Sequence, residues 1–229
     1  MANSLLTGAT GGIGTFIARK LHDRGDNLFL LGRDGAALEA LAKEFPGTEV
    51  LVADVGNPAE LAGKLAHRLP ARLDALVHCA GAVELGPVAE LGPDVWQTML
   101  TVNLAGPAEL TRLALPALRA AAGHVVLVNS GAGLAAHAGW SAYAASKFGL
   151  RALADALRAE EHGNGVRVTS VYPGRTATAM QEKVHAQEGA DYEPKEWIQP
   201  ESVATAVLAA LDLPRDAEVT DLTVRPGLR

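Results

Sequence analysis

Short apolar runs alternate with longer stretches of helical spacing along the whole chain, and this alternation limits the fold more than any other feature. The apolar runs, which we predict to be strands, are residues 4–6, 27–31, 49–53, 73–77, 124–128, 166–171 and 218–224. The helix-like stretches run from a glycine-rich turn to about residue 24, from Asp34 onward, and over 57–69, 93–121, 141–162 and 200–212. Apolar strands that alternate with helices are typical of a parallel sheet covered on both faces. We therefore predict an α/β fold with a doubly wound, seven-stranded parallel sheet and helices on both faces.

Length and composition favour one globular domain, residues 1–229, that acts on a small molecule. The 26 acidic and 20 basic residues leave a net charge of −6, which argues against nucleic acid or an anionic membrane as the main partner. The single cysteine, Cys79, cannot form an internal disulfide or a cysteine-based metal site, so we expect no metal. No apolar run reaches the roughly eighteen residues of a membrane span. No signal peptide is visible either, so we expect a cytoplasmic protein.

Residues 175–199 form the one long stretch without a clear pattern. They follow the sixth predicted strand, and ligands of such folds bind beyond the carboxyl ends of the strands. The segment is therefore a candidate substrate lid. An ordinary surface loop explains its length equally well.

A glycine-rich turn, Thr7 to Gly14, follows the first predicted strand and opens the first predicted helix. Glycines permit positive φ and let backbone N–H groups approach a pyrophosphate at the helix N-terminus. A tight turn without a ligand would also favour glycine. The strand before and the helix after the turn favour a dinucleotide site.

The end of the second strand indicates which dinucleotide is bound. An NAD site usually has an acidic residue about 20 residues past the glycines. Here Arg33 follows the strand, and its guanidinium suits a 2′-phosphate. Asp34 is explained as a helix cap. We therefore predict NADP(H) rather than NAD(H), although Arg33 could instead be a solvated loop charge.

Tyr143 and Lys147 are four residues apart at the start of a predicted helix and share one face of it. A nearby ammonium can lower the pKa of a tyrosine by roughly 1–3 units, which would suit the pair to proton transfer with a carbonyl or alcohol oxygen. Ser130, at the end of the fifth strand, could donate a hydrogen bond to the same oxygen. Helix surfaces also carry such pairs without a function.

In these motifs the chain resembles the short-chain dehydrogenase/reductase family over nearly its whole length. The glycine turn matches the family's TGxxxGxG motif and Tyr143 to Lys147 match its YxxxK motif, with Ser130 at the usual thirteen-residue interval. Further matches are Asp54, Asn103 and the PGxxxT segment from Pro173 to Thr178. The resemblance implies a Rossmann-like fold and an oxidoreductase.

The resemblance also implies roles for these residues. Tyr143 would be the acid-base residue, and Lys147 would lower its pKa and bond the nicotinamide ribose. Ser130 would orient the substrate oxygen, Asn103 would hold a water in the proton relay through helix geometry, and Thr178 would bond the nicotinamide carboxamide. From residue type alone, Asn103 could be an ordinary polar residue inside a helix.

The same resemblance implies a set of cofactor contacts, among which Asp54 would bond the adenine ring. Asp54 could alternatively be a simple loop cap. The predicted cofactor-binding residues are Gly8, Thr10, Gly12, Ile13, Gly14, Arg33, Asp54, Val55, Cys79, Ala80, Gly81, Tyr143, Lys147, Pro173, Gly174, Thr176 and Thr178.

One segment departs from the family pattern. Where the family usually has Asn-Asn-Ala-Gly, this chain has His78-Cys79-Ala80-Gly81. Ala80 and Gly81 keep the close approach to the cofactor, but Cys79 lacks the amide that would bond across the sheet. We expect His78 to be a packing residue and Cys79 not to be a nucleophile, because no base stands beside it in the sequence.

The leading hypothesis is an NADP(H)-dependent oxidoreductase that transfers a hydride to or from a carbonyl or secondary alcohol carbon. The alternative is a non-catalytic NAD(P)-binding regulator on the same fold. A sugar-nucleotide epimerase would need more chain after Gly174. By resemblance we expect a homodimer or homotetramer through the helices at 93–121 and 141–162. Candidate substrate-pocket residues are Glu84, Leu134, His137, Trp140 and Met180.

Overall fold

The computed structural model describes residues 1–227 and contains one seven-stranded sheet. The strands are β1 Asn3–Thr7, β2 Asn27–Gly32, β3 Glu49–Val52, β4 Ala75–His78, β5 His124–Val128, β6 Arg167–Pro173 and β7 Asp221–Val224. All neighbours are parallel, in the order β3-β2-β1-β4-β5-β6-β7. The predicted doubly wound parallel sheet is confirmed. The largest shifts are in β4 and β7, which begin two to three residues later than the apolar runs at 73–77 and 218–224.

Helices cover both faces of this sheet. They are α1 Gly12–Asp23, α2 Gly35–Ala42, α3 Pro58–Leu65, α4 Pro93–Leu100, α5 Gly106–Ala121, α6 Ser141–Glu161, α7 Ala179–Glu188 and α8 Pro200–Leu211. The predicted cap of α2 is confirmed, because Asp34 Oδ1 accepts the Ala37 N–H at 3.0 Å. Within residues 1–227 no helix has the length and hydrophobicity needed to cross a membrane.

The strands contribute side chains to two hydrophobic cores, one on each face of the sheet, because successive side chains point to opposite faces. Leu5 and Val125 pack on one face with residues of α3, α5 and α6. Leu6 and Val126 pack on the other face with residues of α1, α2 and α8. Each such leucine is fully buried and stabilises the fold by about 1.5–3 kcal/mol. This double coverage explains why the strands are apolar throughout.

The predicted helix at 93–121 is not continuous. A π-helical turn, Thr101–Ala105, separates α4 from α5. Such a turn accommodates an extra residue and re-aims the side chains within it, and Asn103 inside it is 1% exposed. Gly106 follows directly, and a Cβ there would lie 2.1 Å from the Val55 carbonyl oxygen. The periodicity of the sequence carries no mark of this interruption.

The chain reverses direction across the sheet at β1. From β1 it proceeds outward to β2 and β3, and it then returns to place β4 on the other side of β1. A crevice opens beyond the carboxyl ends of the strands at such a switch point. The glycine turn after β1 lies at this crevice.

The segment at 175–199 has regular structure. It contains α7 and a short helical turn, Pro194–Glu196, and Thr176 pairs with Ile198 in a parallel bridge. The segment is therefore a folded excursion between β6 and α8 and not an irregular loop.

Candidate active site

A cavity of about 760 Å³ lies beyond the carboxyl ends of the strands. It brings together almost all of the predicted site residues, although they are spread from Gly8 to Thr178. Asn103 is the one predicted site residue that is not among the residues lining this cavity. Of the candidate substrate-pocket residues, His137, Trp140 and Met180 line the cavity. Glu84 and Leu134 do not, which corrects that part of the prediction.

The glycine turn closes against the end of β4. Gly8 has a φ of +70°, and a Cβ there would lie 2.6 Å from the backbone nitrogen of Ala80. A Cβ on Gly14 would lie 2.0 Å from the carbonyl oxygen of Gly8. Because α1 starts at Gly12, its first N–H groups face this turn without a capping side chain. The turn can therefore hold an anion on backbone N–H groups.

Thr7, at the end of β1, bonds the segment that follows β4. The Thr7 hydroxyl oxygen accepts the N–H of Cys79 and the N–H of Ala80, each at 3.1 Å. The bond therefore runs from β1 to the backbone and does not need an amide side chain at position 79. Sequence reasoning missed this role, although Thr7 is the first residue of the glycine motif.

The two unusual residues after β4 behave as packing groups. His78 is 2% exposed, bonds Thr111 through Nε2 at 2.8 Å, and burial lowers its pKa to about 3. Burial raises the pKa of the Cys79 thiol to about 12, even though Lys147 acts to lower it. The thiolate needed for nucleophilic attack is therefore disfavoured, as the sequence predicted.

At the β2–β3 end of the cavity, Arg33 is exposed and lines the wall. Within residues 1–227 its side chain makes no hydrogen bond or ion pair, so the guanidinium is available to a ligand. Asp54 lines the same end, and its Oδ1 accepts the Gly56 N–H at 2.8 Å. Asp54 is therefore a loop cap that also faces the cavity, so the two interpretations of this residue are compatible.

Ser130, Tyr143 and Lys147 meet at the floor of the cavity, with Tyr143 7% and Lys147 4% exposed. Burial raises the pKa of Tyr143, and a hydrogen bond with Ser130 acts to lower it. Lys147 Nζ lies 5.9 Å from the centre of the Tyr143 ring and donates to the Val128 carbonyl oxygen at 3.2 Å.

These contacts correct the electrostatic expectation for the pair. The sequence predicted that Lys147 lowers the pKa of Tyr143, but the net direction is upward and the lowering group is Ser130. The ammonium is itself desolvated, and burial lowers the pKa of Lys147 to about 8. A buried Lys147 is charged less readily than a solvated lysine and is held against a carbonyl oxygen.

The side-chain amide of Asn103 hydrogen-bonds two other parts of the protein, the backbone of Ala82 and the side chain of Ser146 on α6. Its Oδ1 accepts the Ala82 N–H at 2.8 Å, while its Nδ2 donates to the Ala82 carbonyl at 2.9 Å and to Ser146 Oγ at 3.0 Å. A Cβ on Gly81 would lie 3.3 Å from Asn103 Oδ1 and 3.9 Å from Lys147 Nζ. The π-helical turn thus ties the segment after β4 to α6, next to Lys147.

Asn129 is a lining residue that the sequence reasoning missed. It follows β5, its Nδ2 donates to the Lys147 carbonyl at 3.1 Å, and its backbone N–H donates to the Val171 carbonyl at 2.7 Å. It thereby fixes α6 against the sheet beside Ser130. A lone asparagine before a serine carries no recognisable signal of this contact.

Comparison with known proteins agrees with this geometry. Residues 3–189 match the model of the short chain dehydrogenase family. The chain belongs to the short-chain dehydrogenases. A short-chain type dehydrogenase/reductase of Sinorhizobium fredii is 35% identical over 228 residues, covering 97% of this chain and 90% of the relative.

Two solved structures superimpose closely on this chain. An alcohol dehydrogenase of Thermococcus sibiricus, complexed with 5-hydroxy-NADP, has a TM-score of 0.86 at 28% identity and covers 99% of this chain and 97% of its own. A variant of actinorhodin polyketide ketoreductase, solved with NADPH, has a TM-score of 0.89 at 27% identity, with 99% and 96% covered. The fold of the whole chain is therefore that of known oxidoreductases.

In this short-chain dehydrogenase, α7 lies against a rim loop, residues 82–85, at the cavity mouth. Lys183 Nζ donates to Glu84 Oε2 at 2.8 Å and to the Val83 carbonyl at 3.0 Å. Gln187 bonds the same Glu84, and its Oε1 accepts the Leu85 N–H at 3.2 Å. Glu84 therefore holds the rim to α7 and does not face the cavity.

Thr178, the last residue of the PGxxxT segment, caps α7. Its hydroxyl oxygen accepts the Gln181 N–H at 3.2 Å. A Cβ on Gly12 would lie 2.6 Å from the Thr178 methyl group. The start of α7 therefore touches the glycine turn, so the wall formed by α7 spans the cavity from the turn to the rim loop.

Proposed function

We propose that this short-chain dehydrogenase transfers a hydride between NADP(H) and the carbonyl or secondary alcohol carbon of a small organic substrate. The observation that carries the proposal is the meeting of Ser130, Tyr143 and Lys147 at the floor of one cavity that also includes the glycine turn. A regulator that only binds the cofactor has no need of these three buried polar side chains.

The residues present fit a nicotinamide dinucleotide. The turn after β1 leaves no room for a Cβ at Gly8, and the start of α1 offers backbone N–H groups to a pyrophosphate. Asp54 would bond the adenine ring, Lys147 the ribose, and Thr178 the carboxamide. When bound, the cofactor supplies or accepts the hydride.

The chain's own residues manage the proton. Tyr143 gives a proton to the substrate oxygen during reduction and removes it during oxidation. Ser130 stabilises the phenolate, since its hydrogen bond acts to lower the pKa of Tyr143, and it orients the substrate oxygen. Lys147 adds positive charge near the ring, and Asn103 positions the backbone of Ala82 and α6 beside it.

The preference for NADP(H) rests on Arg33, which lines the cavity and has no partner within residues 1–227. The NADP and NADPH complexes of the two solved relatives support it. Arg33→Ala should weaken NADPH binding roughly tenfold to a hundredfold and leave NADH binding unchanged. A tenfold preference of the unaltered protein for NADH would contradict the assignment.

We further propose that residues 175–199 act as the substrate lid, with α7 closing on the rim loop.

We also propose a homodimer or homotetramer through the helices at 93–121 and 141–162, which are α4, α5 and α6. Its support is the exposure of two apolar side chains, Phe148 on α6 at 41% and Leu100 at the end of α4 at 38%. Light scattering on a size-exclusion column would test the assembly. The cytoplasmic location stays a prediction.

The deciding experiment is Tyr143→Phe, assayed by NADPH absorbance against a panel of aldehydes, ketones, quinones and secondary alcohols. Loss of the proton donor should reduce turnover roughly a hundredfold to ten-thousandfold, while NADPH still binds. Unchanged turnover would remove the role given to Tyr143. If the unaltered protein binds NADPH but turns over nothing in the panel, the regulatory alternative is favoured.

A further inference from the structure

Arg175 stands at the substrate end of the cavity, one aromatic ring away from Tyr143. Its guanidinium carbon lies 5.9 Å from the centre of the Trp140 ring, and that ring lies 5.9 Å from the ring of Tyr143 in an edge-to-face contact. Arg175 also lies 5.5 Å from the centre of the Trp197 ring. Cation–π contacts with two indoles thus help to hold the guanidinium in place.

Glu188, the last residue of α7, forms an ion pair with this guanidinium. Arg175 Nη1 and Nη2 donate to the two carboxylate oxygens at 2.7 and 2.8 Å, which is the bidentate geometry that an Arg side chain would otherwise offer to a substrate carboxylate. The Arg175 side chain is 34% exposed and that of Glu188 is 24% exposed, so the pair is partly shielded from water. Arg175 and the Trp140 indole both act to lower the pKa of Glu188, which favours its charged form.

The remaining charges of the lining do not replace Arg175 as an anion anchor. Among the described lining residues, Arg33, Asp34 and Asp54 lie at the opposite, β2–β3 end. At the substrate end, Lys147 is held on the Val128 carbonyl and His137 is an exposed rim residue. The lining also includes the apolar side chains of Ala82, Val83, Ala132, Trp140, Met180 and Val184, and its other polar side chains, such as Ser130, Tyr143 and Gln181, carry no net charge.

We propose that the Arg175–Glu188 pair makes this site select uncharged carbonyl compounds with an apolar or aromatic substituent, and that Glu188 is the residue that excludes carboxylates. The inference rests on the proposed function. A substrate carboxylate would have to displace Glu188 from Arg175, and its own charge would lie close to that of Glu188. A neutral aromatic substrate meets the apolar wall and leaves the pair undisturbed.

The test compares two aldehydes of matched shape, 4-formylbenzoate and its methyl ester, in the unaltered protein and in Glu188→Gln. The unaltered protein should favour the ester in kcat/KM by tenfold or more. Glu188→Gln frees the guanidinium, so kcat/KM for the carboxylate should rise roughly tenfold relative to the ester. Glu182→Gln is the matched control, because it removes the same charge from the exposed face of the same helix and should leave the ratio unchanged.

A second readout does not depend on turnover. The binding of benzoate and of benzamide is titrated by calorimetry. Glu188→Gln should tighten the binding of benzoate and leave the binding of benzamide unchanged. Adding Arg175→Met to that variant should remove the gain in both readouts, and Glu188→Ala replaces Glu188→Gln if the latter does not fold.

Two results would overturn the inference: equal use of both aldehydes by the unaltered protein, or a folded Glu188 variant without any gain for the carboxylate or for benzoate. Failure of every protein to reduce either aldehyde would count against the proposed function instead, and the benzoate titration would still decide the role of Glu188.

Discussion

The two walls of the cavity are built in different ways. The glycine wall, residues 8–14 with the facing segment 79–81, is made of backbone in close contact, and a Cβ on Gly8 would lie 2.6 Å from Ala80 N. The α7 wall, the rim loop with α7, is held by side chains such as Lys183 and Glu84, which are 51% and 36% exposed. One wall is backbone packed on backbone, and the other combines exposed ion pairs with buried apolar side chains such as Val184 of α7 and Val83 of the rim loop.

This difference in construction suits the two walls to different tasks. Close backbone contacts leave a single arrangement, which suits the wall that we propose binds the dinucleotide. Exposed ion pairs contribute about 0–1 kcal/mol each, so the Lys183–Glu84 pair adds little to the stability of the α7 wall. Its side chains can also change without disturbing the sheet, and selectivity between substrates is therefore expected on that side.

The largest effect should come from Gly8→Ala in the glycine wall. The positive φ costs roughly 1–2 kcal/mol and the overlap with Ala80 a further 1–3 kcal/mol, so the free energy of unfolding should fall by about 2–5 kcal/mol. Gly25 is the matched control, because its φ is +88° and no atom lies within 4 Å of a Cβ there. Chemical denaturation measures both variants. Equal losses for Gly8→Ala and Gly25→Ala would show that the close contact contributes nothing.

Lys147, at the buried floor beside the glycine wall, should make stability depend on pH. Its pKa is about 8 in the folded protein, against about 10.4 when unfolded. At Lys147 the unfolded chain therefore binds more protons between these values, and the contribution of this residue to the free energy of unfolding should rise from pH 8 toward pH 10, by about 2–3 kcal/mol. The raised pKa of Cys79 acts in the opposite direction above about pH 8.5 and offsets part of this rise, so the contribution of Lys147 is the difference between the unaltered protein and a Lys147 variant. Above about pH 10 the raised pKa of Tyr143 acts in the same direction as that of Cys79, because only the unfolded tyrosine has lost its proton.

Denaturation curves at closely spaced pH values test this dependence. Lys147→Met should remove the rise, whereas Lys64→Met, at an exposed position on α3, should keep it. A rise that persists in Lys147→Met would assign the dependence to another group.

An intermediate effect is expected from Thr7→Val, which leaves two backbone N–H groups of the glycine wall without their acceptor. The free energy of unfolding should fall by about 1–3 kcal/mol. Thr7→Ser keeps the hydroxyl and should retain most of the stability, as measured by urea denaturation. Loss of the same size in both variants would mean that the methyl group, and not the hydrogen bonds to Cys79 and Ala80, stabilises the turn.

The smallest effect belongs to the α7 wall. The Lys183–Glu84 ion pair can be removed with Lys183→Met and Glu84→Gln, made singly and together. The coupling free energy between the two side chains from this double-mutant cycle should be about 0.2–1 kcal/mol and should fall with added salt. The change should appear in KM for a reducible ketone and leave the unfolding transition almost unmoved. Arg19 and Glu44 form an exposed pair away from the cavity, and Arg19→Met should not alter KM. A loss of stability as large as that of Gly8→Ala would end the distinction between the two walls.

Much of this molecule could be predicted from local patterns. The strands, the caps and the glycine turn depend on neighbours a few residues apart, because strand and helix periods and the freedom of glycine are local properties. Local motifs also singled out Ser130, Tyr143 and Lys147, which all line the same cavity, and their catalytic roles stay a prediction. The sequence did not predict the π-helical turn at Asn103, since an extra residue in a helix leaves the apolar spacing readable as one helix.

The sequence by itself determined the parallel sheet, the position of the glycine turn and the membership in an oxidoreductase family. Only the tertiary structure decided that Thr7 bonds the backbone of Cys79 and Ala80, that the pKa of Tyr143 is raised, and that Glu188 pairs with Arg175. These outcomes depend on burial and on contacts such as Lys183 with Glu84, which are 99 residues apart in the chain. No local pattern encodes such a contact, because its energy arises only when folding brings the two side chains together and removes the water around them.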